Sequence, residues 1–319
     1  MATAVNAAAM GTGTSNTASP LLNTYGARAD NATAAGWGST VTATNGSAYG
    51  TMSTASGASA SAFGHSATAS GDYSAAVGYQ ATASGLSDSA FGNGATASGG
   101  NSSAYGAHTV ASGLQSSAYG VGSQATGFQA AAFGTGTSDP GNPAGNTYGA
   151  RANFATAMGA AATASGGASS AVGYGATASG DNSAAYGRES TASGMNAAAF
   201  GSGAGALADS ATAVGSGAQA LHAGATAIGA GAATVRANQI AVGTGSNTYT
   251  LAGVSSAASN AAQTGPLRFV TTDQAGNLGT SSFDPASVQI LDGRVGALEN
   301  RVGALGNSVA NLQRDVRRG

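Results

Sequence analysis

Cysteine is absent from these 319 residues, and so is lysine: all ten basic residues are arginine. Without Cys there is no disulfide framework and no thiolate metal site. Zero Cys fits an exported protein without requiring one. Charged residues are 7% of the chain and the formal net charge is −2, so no basic field attracts nucleic acid. Proline is scarce and tryptophan occurs once, as Trp37. No apolar run approaches the roughly 18 residues of a membrane-spanning helix, and the first residues lack the basic and apolar regions of a signal peptide. What is abundant is glycine, at 53 residues.

Gly-rich composition alone often means disorder, but here the glycines are in strict phase. One falls every seventh residue from Gly50 to Gly134, and the run resumes in phase from Gly159 to Gly201. Every second one follows a larger apolar residue: Tyr49, Phe63, Val77, Phe91, Tyr105, Tyr119, Phe133. The unit is therefore fourteen residues, two short segments and two glycine turns. A fixed period is the mark of a repeat architecture. Seven residues hold a strand of about five residues and a corner, so the chain reads as a narrow β-solenoid. The glycines are expected where the corner backbone is left-handed or cramped.

A duplication sits above this period. Gly11 to Gly36 and Gly134 to Gly159 are alike at a constant offset of 123 residues. In each copy 15 and then 10 residues separate successive X-Gly corners, which reads as an inserted loop carrying Pro20 or Pro140 and Pro143. The first copy begins almost at Met1, where a coil should already be under way, as if the chain were cut from a longer array. In the second array Ala208, His222 and Arg236 replace the second glycine, so the solenoid changes as it ends. The expected units are a solenoid over 1–243 with loops at 11–36 and 134–159, a connector over 244–285 and a coiled coil over 286–319. The connector holds strand-like NTYTLAGV and RFVTT segments and a turn at Gln274-Ala275-Gly276-Asn277.

The last segment has its own period. Val288, Val295, Val302, Val309 and Val316 recur every seven residues, with Leu291, Leu298, Leu305 and Leu312 three residues after the first four. This is the a/d heptad of a coiled coil. Gly293, Gly296, Gly303 and Gly306 weaken the helix by up to ~1 kcal/mol each relative to Ala, so it should depend on partner chains. Arg294 at g and Glu299 at the next e can pair across a parallel interface. By core rules, Val at a with Leu at d favours two strands.

In one segment of each coil, Ala always precedes the large residue, from Ala48 to Ala132 and Ala157 to Ala241. Side chains alternate along a strand, so one face is an unbroken Ala row and the other carries the large residues behind Ser, Ala or Thr. Neither face is charged. A strand apolar on both faces is covered on both, once by the solenoid interior and once from outside, and parity does not say which is which. The other segment alternates Ala with hydroxyl residues, as in Thr54/Ser56 and Thr163/Ser165, the pattern of a solvated face. One wet and one dry side, with the heptads, call for a parallel oligomer.

Nothing reads as an enzyme. His65, His108 and His222 stand in different coils, and the G-x-G stretches lack the strand-then-helix context of a phosphate loop. Asp72, Asp88, Asp139 and Asp181 are too scattered for calcium repeats. No cofactor or metal is expected. The best ligand-contact candidates are Tyr25, Arg28, Trp37, Tyr148 and Arg151, in or beside the duplicated loops.

The recurring S-A-[VFY]-G with A-T-A-S-G resembles the head repeat of trimeric autotransporter adhesins, the YadA-like head, over about residues 1 to 243. Ala213-Val214-Gly215 and Ala227-Ile228-Gly229 lie nearest its usual S-V-A-I-G. The resemblance implies a mainly β fold, a left-handed parallel β-roll of three chains standing on a coiled-coil stalk of a Gram-negative surface. Val288, Leu291, Val295, Leu298, Val302, Leu305, Val309, Leu312 and Val316 would then form a homotrimer interface. It implies attachment to a host matrix protein, a cell-surface receptor or other bacteria, with membrane contact only through an outer-membrane anchor beyond this chain. Two other functions fit the repeats. One is an ice-binding solenoid using the aligned Thr and Ser, although that ladder lapses at Val110, Gln124, Gly205, Gln219 and Ala233. The other is a phage-fibre or spacer segment with no receptor site.

Overall fold

A computed structural model describes residues 4–11, 25–136 and 148–318. Pro20, Pro140 and Pro143 lie outside them. The chain divides into two compact units, Met1–Asn247 and Thr248–Gly319.

The first unit is a parallel β-solenoid. Each coil contributes a three-residue strand to a 16-stranded sheet, here sheet A, and a two-residue strand to a 14-stranded sheet, sheet B. Neighbouring coils pair in register: Ser89, Ala90 and Phe91 face Ser103, Ala104 and Tyr105 in sheet A, and Thr82 faces Thr96 in sheet B. The fourteen-residue period is therefore the circumference of one coil.

Four side chains per coil point inward, and they are small. In the coil from Ser61 to Ser74 they are Ala62, Ala67, Ala69 and Ser74, all at most 1% exposed. The interior that runs through the solenoid is mostly alanine, interspersed with buried Ser and Thr, and Val41 is its largest apolar member. This decides what alternation leaves open. The Ala row of sheet A faces the interior, and the large residues face out. In sheet B the Ala points in and the Thr/Ser ranks face out, as the solvated pattern predicts.

The corners explain the glycines in two ways. After each sheet A strand the glycine has a φ between +112° and +146° from Gly50 to Gly134, a region that only glycine readily enters. After each sheet B strand φ is ordinary, but space is not. A Cβ on Gly113 would lie 1.9 Å from the carbonyl oxygen of Gly127 in the next coil. Two residues beyond nearly every corner glycine stands a residue in the left-handed region that the glycine period does not reveal. Most of these are not glycine: Met52, Ser59, Ser66, Tyr73 and Gln80 have φ of 53–58°. The left-handed twist turns the N–H along the solenoid axis. Met52 N–H donates to Trp37 O at 2.7 Å, and Ser59 N–H to Thr44 O at 2.9 Å, both in the coil behind. Corners are thus hydrogen-bonded coil to coil like the strands, which offsets a strain of ~1–2 kcal/mol per left-handed residue.

Sheet B ends at Gln219–Ala220, followed only by a bridge from Gln219 to Ala233, while sheet A continues to Ile240–Val242. It stops where His222 and Arg236 stand in place of corner glycines.

The NTYTLAGV segment, which starts at the last residue of the first unit, is not a strand. Its residues are exposed, and Val254 N–H closes a turn on Leu251 O. A short helix, α1 (Ala257–Ala262), follows, capped by Ser256. RFVTT does form a strand: Val270–Thr272 pairs antiparallel with Leu278–Thr280 around the expected turn, where Asp273 accepts from Asn277. The long helix α2 (Pro285–Val316) spans the heptads. Its N-cap is Asp284, which accepts from Ser287 N–H at 2.7 Å and Ser287 O–H at 2.6 Å, and Pro285 opens the first turn, where no N–H is needed.

Candidate functional site

The outer face of sheet A is one continuous apolar rank. From Tyr49 to Val242 every coil places one large side chain there, and in-register pairing stacks them. Ring centroids lie 4.9–5.1 Å apart through Phe91, Tyr105, Tyr119 and Phe133, with planes within 2°. Tyr49 stacks on Phe63 and Tyr186 on Phe200. The spacing is the ~4.8 Å rise between strands, so the backbone sets the stack. Tyr49, Phe63, Phe133, Tyr186, Phe200, Val214 and Ile228 each stay 39–41% exposed in the single chain. An uncharged apolar band of this length exceeds what a monomer usually leaves bare.

The duplicated loops are enlargements of single coils. Ala131 pairs with Thr156 at an offset of 25 residues, where Ser117 pairs with Ala131 at 14, so eleven residues are inserted without loss of register. Ala8 pairs with Thr33 at the same offset of 25. The insertion lies between a sheet A strand and its sheet B strand. Tyr25-Gly26 and Tyr148-Gly149 are therefore not X-Gly corners of the Tyr49-Gly50 kind. Gly26 and Gly149 open sheet B strands, in the place of Thr40 and Thr163, while the corner after the sheet A strand stays at Gly134, with φ of +146°.

Tyr25, Arg28 and Trp37 come together only in part. Tyr25 and Trp37 share one corner: the Tyr25 ring and Met52 flank Gly38, within 3.7 Å and 3.4 Å of where its Cβ would stand. Trp37 is 49% exposed. Arg28 is exposed at the far end of the strand, about 10 Å along from Tyr25. Tyr148 and Arg151 repeat this arrangement eight rungs away on sheet B, a separation of ~38 Å. Tyr25 with Arg28 and Tyr148 with Arg151 thus stand at equivalent places, each a half-buried Tyr at a strand start and an exposed Arg at its end, whereas Ala160 stands where the duplication would repeat Trp37.

The acidic residues have structural duties. Asp72 accepts from Ala58 N–H at 2.8 Å, Asp181 from Gly167 N–H at 2.8 Å and Asp209 from Met195 N–H at 2.9 Å, each reaching the corner of the previous coil. Asp88 is fully buried and accepts from the N–H groups of Gly85, Gly100 and Ser102 and from the Ser102 hydroxyl, at 2.6–3.0 Å. Among the described residues no three His, Cys, Asp or Glu side chains gather to hold a metal. His65 stacks on Tyr79 at 5.2 Å, and His222 faces the Thr234 hydroxyl at 3.2 Å.

Periodic reading missed the apolar side chains at the corners. Tyr73, Tyr79, Leu86, Leu114 and Tyr174 are 47–67% exposed, and Phe128 meets Phe154 edge-on at 5.3 Å. Their identities change from coil to coil, so only the corner positions one and two residues past each glycine would have located them.

All nine heptad residues, Val288 to Val316, are 41–80% exposed in the single chain. Among the described residues no helix is long and apolar enough to cross a membrane.

The YadA head domain repeat family matches residues 55–81, 83–109, 150–176, 164–190, 178–204 and 206–232. The crystal structure of the collagen-binding domain of the Yersinia adhesin YadA is similar at 16% identity, over 78% of this chain and 83% of that one, with a TM-score of 0.19. No curated protein matches. The matched segments run through both arrays on either side of the second enlarged coil, so the solenoid carries YadA head domain repeats.

Proposed function

We propose that this chain is the head and upper stalk of a homotrimeric bacterial surface adhesin, which attaches to host matrix, host cells or other bacteria through many weak contacts. The observation that carries the reading is the outward apolar rank of sheet A in a head-repeat solenoid. It needs a cover, and parallel copies supply one that repeats at the same spacing. The stripe from Val288 to Val316 asks for the same parallel association, three-fold as in trimeric autotransporters. The outer membrane of a Gram-negative cell is the fitting location.

Repeated sites on a rod gain avidity of about 10²–10⁴ over one weak contact. Three copies of each enlarged coil give six Tyr–Arg sites per rod, three of them with Trp37 alongside. Tyr25, Arg28, Trp37, Tyr148 and Arg151 are assigned as their contacts, since an exposed Arg and aromatic pair supports polar and apolar binding together. The test is attachment of the full chain to matrix-coated wells and to cells, compared with Arg28→Ala, Trp37→Ala and Arg151→Ala combined. Attachment that falls at least tenfold supports these contacts. Attachment by the parent chain and the variant alike moves binding elsewhere on the rod, and no attachment by either makes this portion a spacer.

A further inference from the structure

Sheet B carries a second ordered surface that the adhesin reading leaves unused. Thr40, Thr54, Thr68, Thr82 and Thr96 pair rung to rung without a break. Two residues on, Thr42, Ser56, Ser70, Ser84 and Ser98 form a parallel, exposed rank. The residue between the ranks points inward in every rung: Val41, Ala55, Ala69, Ala83 and Ala97 are fully buried. The surface is therefore two straight files of hydroxyls on a face kept flat by a small-residue interior. It carries no charge over these five rungs. The hydroxyls of Thr54, Thr68, Thr82 and Thr96 have no partner among the described residues. A shorter copy stands at Thr163, Thr177 and Thr191.

Two features set what such a face fits. The rungs repeat at ~4.8 Å and the ranks lie ~6.7 Å apart, both fixed by backbone geometry rather than by side-chain choice. A flexible polymer gains little from that constancy, because it adjusts to uneven spacing. A crystalline lattice cannot adjust, and gains from every rung at once. The absence of charge disfavours mineral surfaces, which attract ions. Threonine offers a hydroxyl and a methyl together, so it can hold ordered water and exclude disordered water. We infer that the sheet B face from Thr40 to Ser98 binds ice, the ranked hydroxyls and methyls ordering water into the lattice at the rung spacing. This face is opposite the apolar rank of sheet A, so the activity does not rest on the adhesin reading.

The test is the gap between melting and freezing points of single ice crystals in solutions of the full chain, with crystal shape recorded. The expected result is a measurable gap with faceted crystals. In Thr68→Tyr, and separately in Ser70→Tyr, the gap should shrink by more than half while the circular dichroism spectrum is unchanged. Using one variant in each rank guards against a single substitution that fails to fold. Round crystals without a gap in the parent chain overturn the inference, as does a gap that both folded variants retain. Matrix attachment by the same samples reports on the adhesin reading separately: a chain that attaches but leaves ice unshaped defeats this inference alone.

Discussion

At the scale of the residue, the two kinds of corner glycine make opposite demands on a substitution. Gly113 has no room, since its Cβ would stand 1.9 Å from a backbone oxygen that the next coil fixes in place. Gly113→Ala must push two coils apart, and should cost ~3 kcal/mol or more, in the range of severe overpacking. Gly203 has φ of +65° and nothing within 4 Å of its Cβ position. The same coil position holds Glu189, His108 and Met52 elsewhere, each at φ of 55–57°. Gly203→Asn should therefore change stability by under ~1 kcal/mol. Urea midpoints of the two variants check the contrast, and equal midpoints would contradict it. The regular glycine spacing was legible in the sequence, but the two causes behind it were not. One cause is a dihedral angle and the other a distance to the neighbouring coil, and both produce the same letter.

Among the elements, the sheet A strands and helix α2 show where local chemistry decides and where packing does. Ala104 is fully buried between two sheets lined by other alanines. Ala104→Leu adds three carbons to an interior with no slack, so a loss of ~2–3 kcal/mol is expected, near the upper end for overpacking. The outward neighbour Ser103 is half-buried, and Ser103→Val should cost far less, its branched side chain suiting a strand. Thermal unfolding followed by circular dichroism separates the two. In α2 the sensitive point is the cap. The hydrogen bond from the Ser287 hydroxyl, followed by that from its backbone N–H, holds the Asp284 carboxyl below its ordinary value of 3.8. A carboxyl depressed in the folded state stabilises it fully above the unfolded pKa and stops doing so as pH falls through the folded value. The helix start should therefore be indifferent to pH above about 4 and fray below it. In Asp284→Asn, which caps without titrating, helical signal should stay level over that acid range. A parallel decline in both proteins would place the titration elsewhere.

For the whole molecule, the apolar rank of sheet A and the heptad stripe of α2 predict association of parallel copies, and the proposed adhesin head predicts that light scattering on the full chain finds three. The rank is uncharged, so the mass should not change as ionic strength rises past the screening range. Tyr105→Asp with Tyr119→Asp puts two like charges one rung apart in the middle of the rank, and should reduce the mass to single chains or to species joined only through α2. A parent chain that stays a monomer throughout a concentration series would leave the rank to another cover.

The sequence by itself determined the repeat, its fourteen-residue circumference, the parallel pairing that such a period requires and the heptad helix, because periodicity records backbone geometry directly. It also located both enlarged coils, since an insertion breaks phase. Only the tertiary structure decided which way the rows point. Alternation separates Ala104 from Tyr105 without saying which is inside, and that depends on how closely the two sheets approach. An interior four small residues wide admits alanine and excludes tyrosine, so the aromatic rank is outward. The placing of Tyr25 and Tyr148 at strand starts rather than corners was likewise a tertiary matter. Their dipeptide looks like Tyr49-Gly50, and only the pairing of Gly26 with Thr40 and of Gly149 with Thr163 assigns them to sheet B.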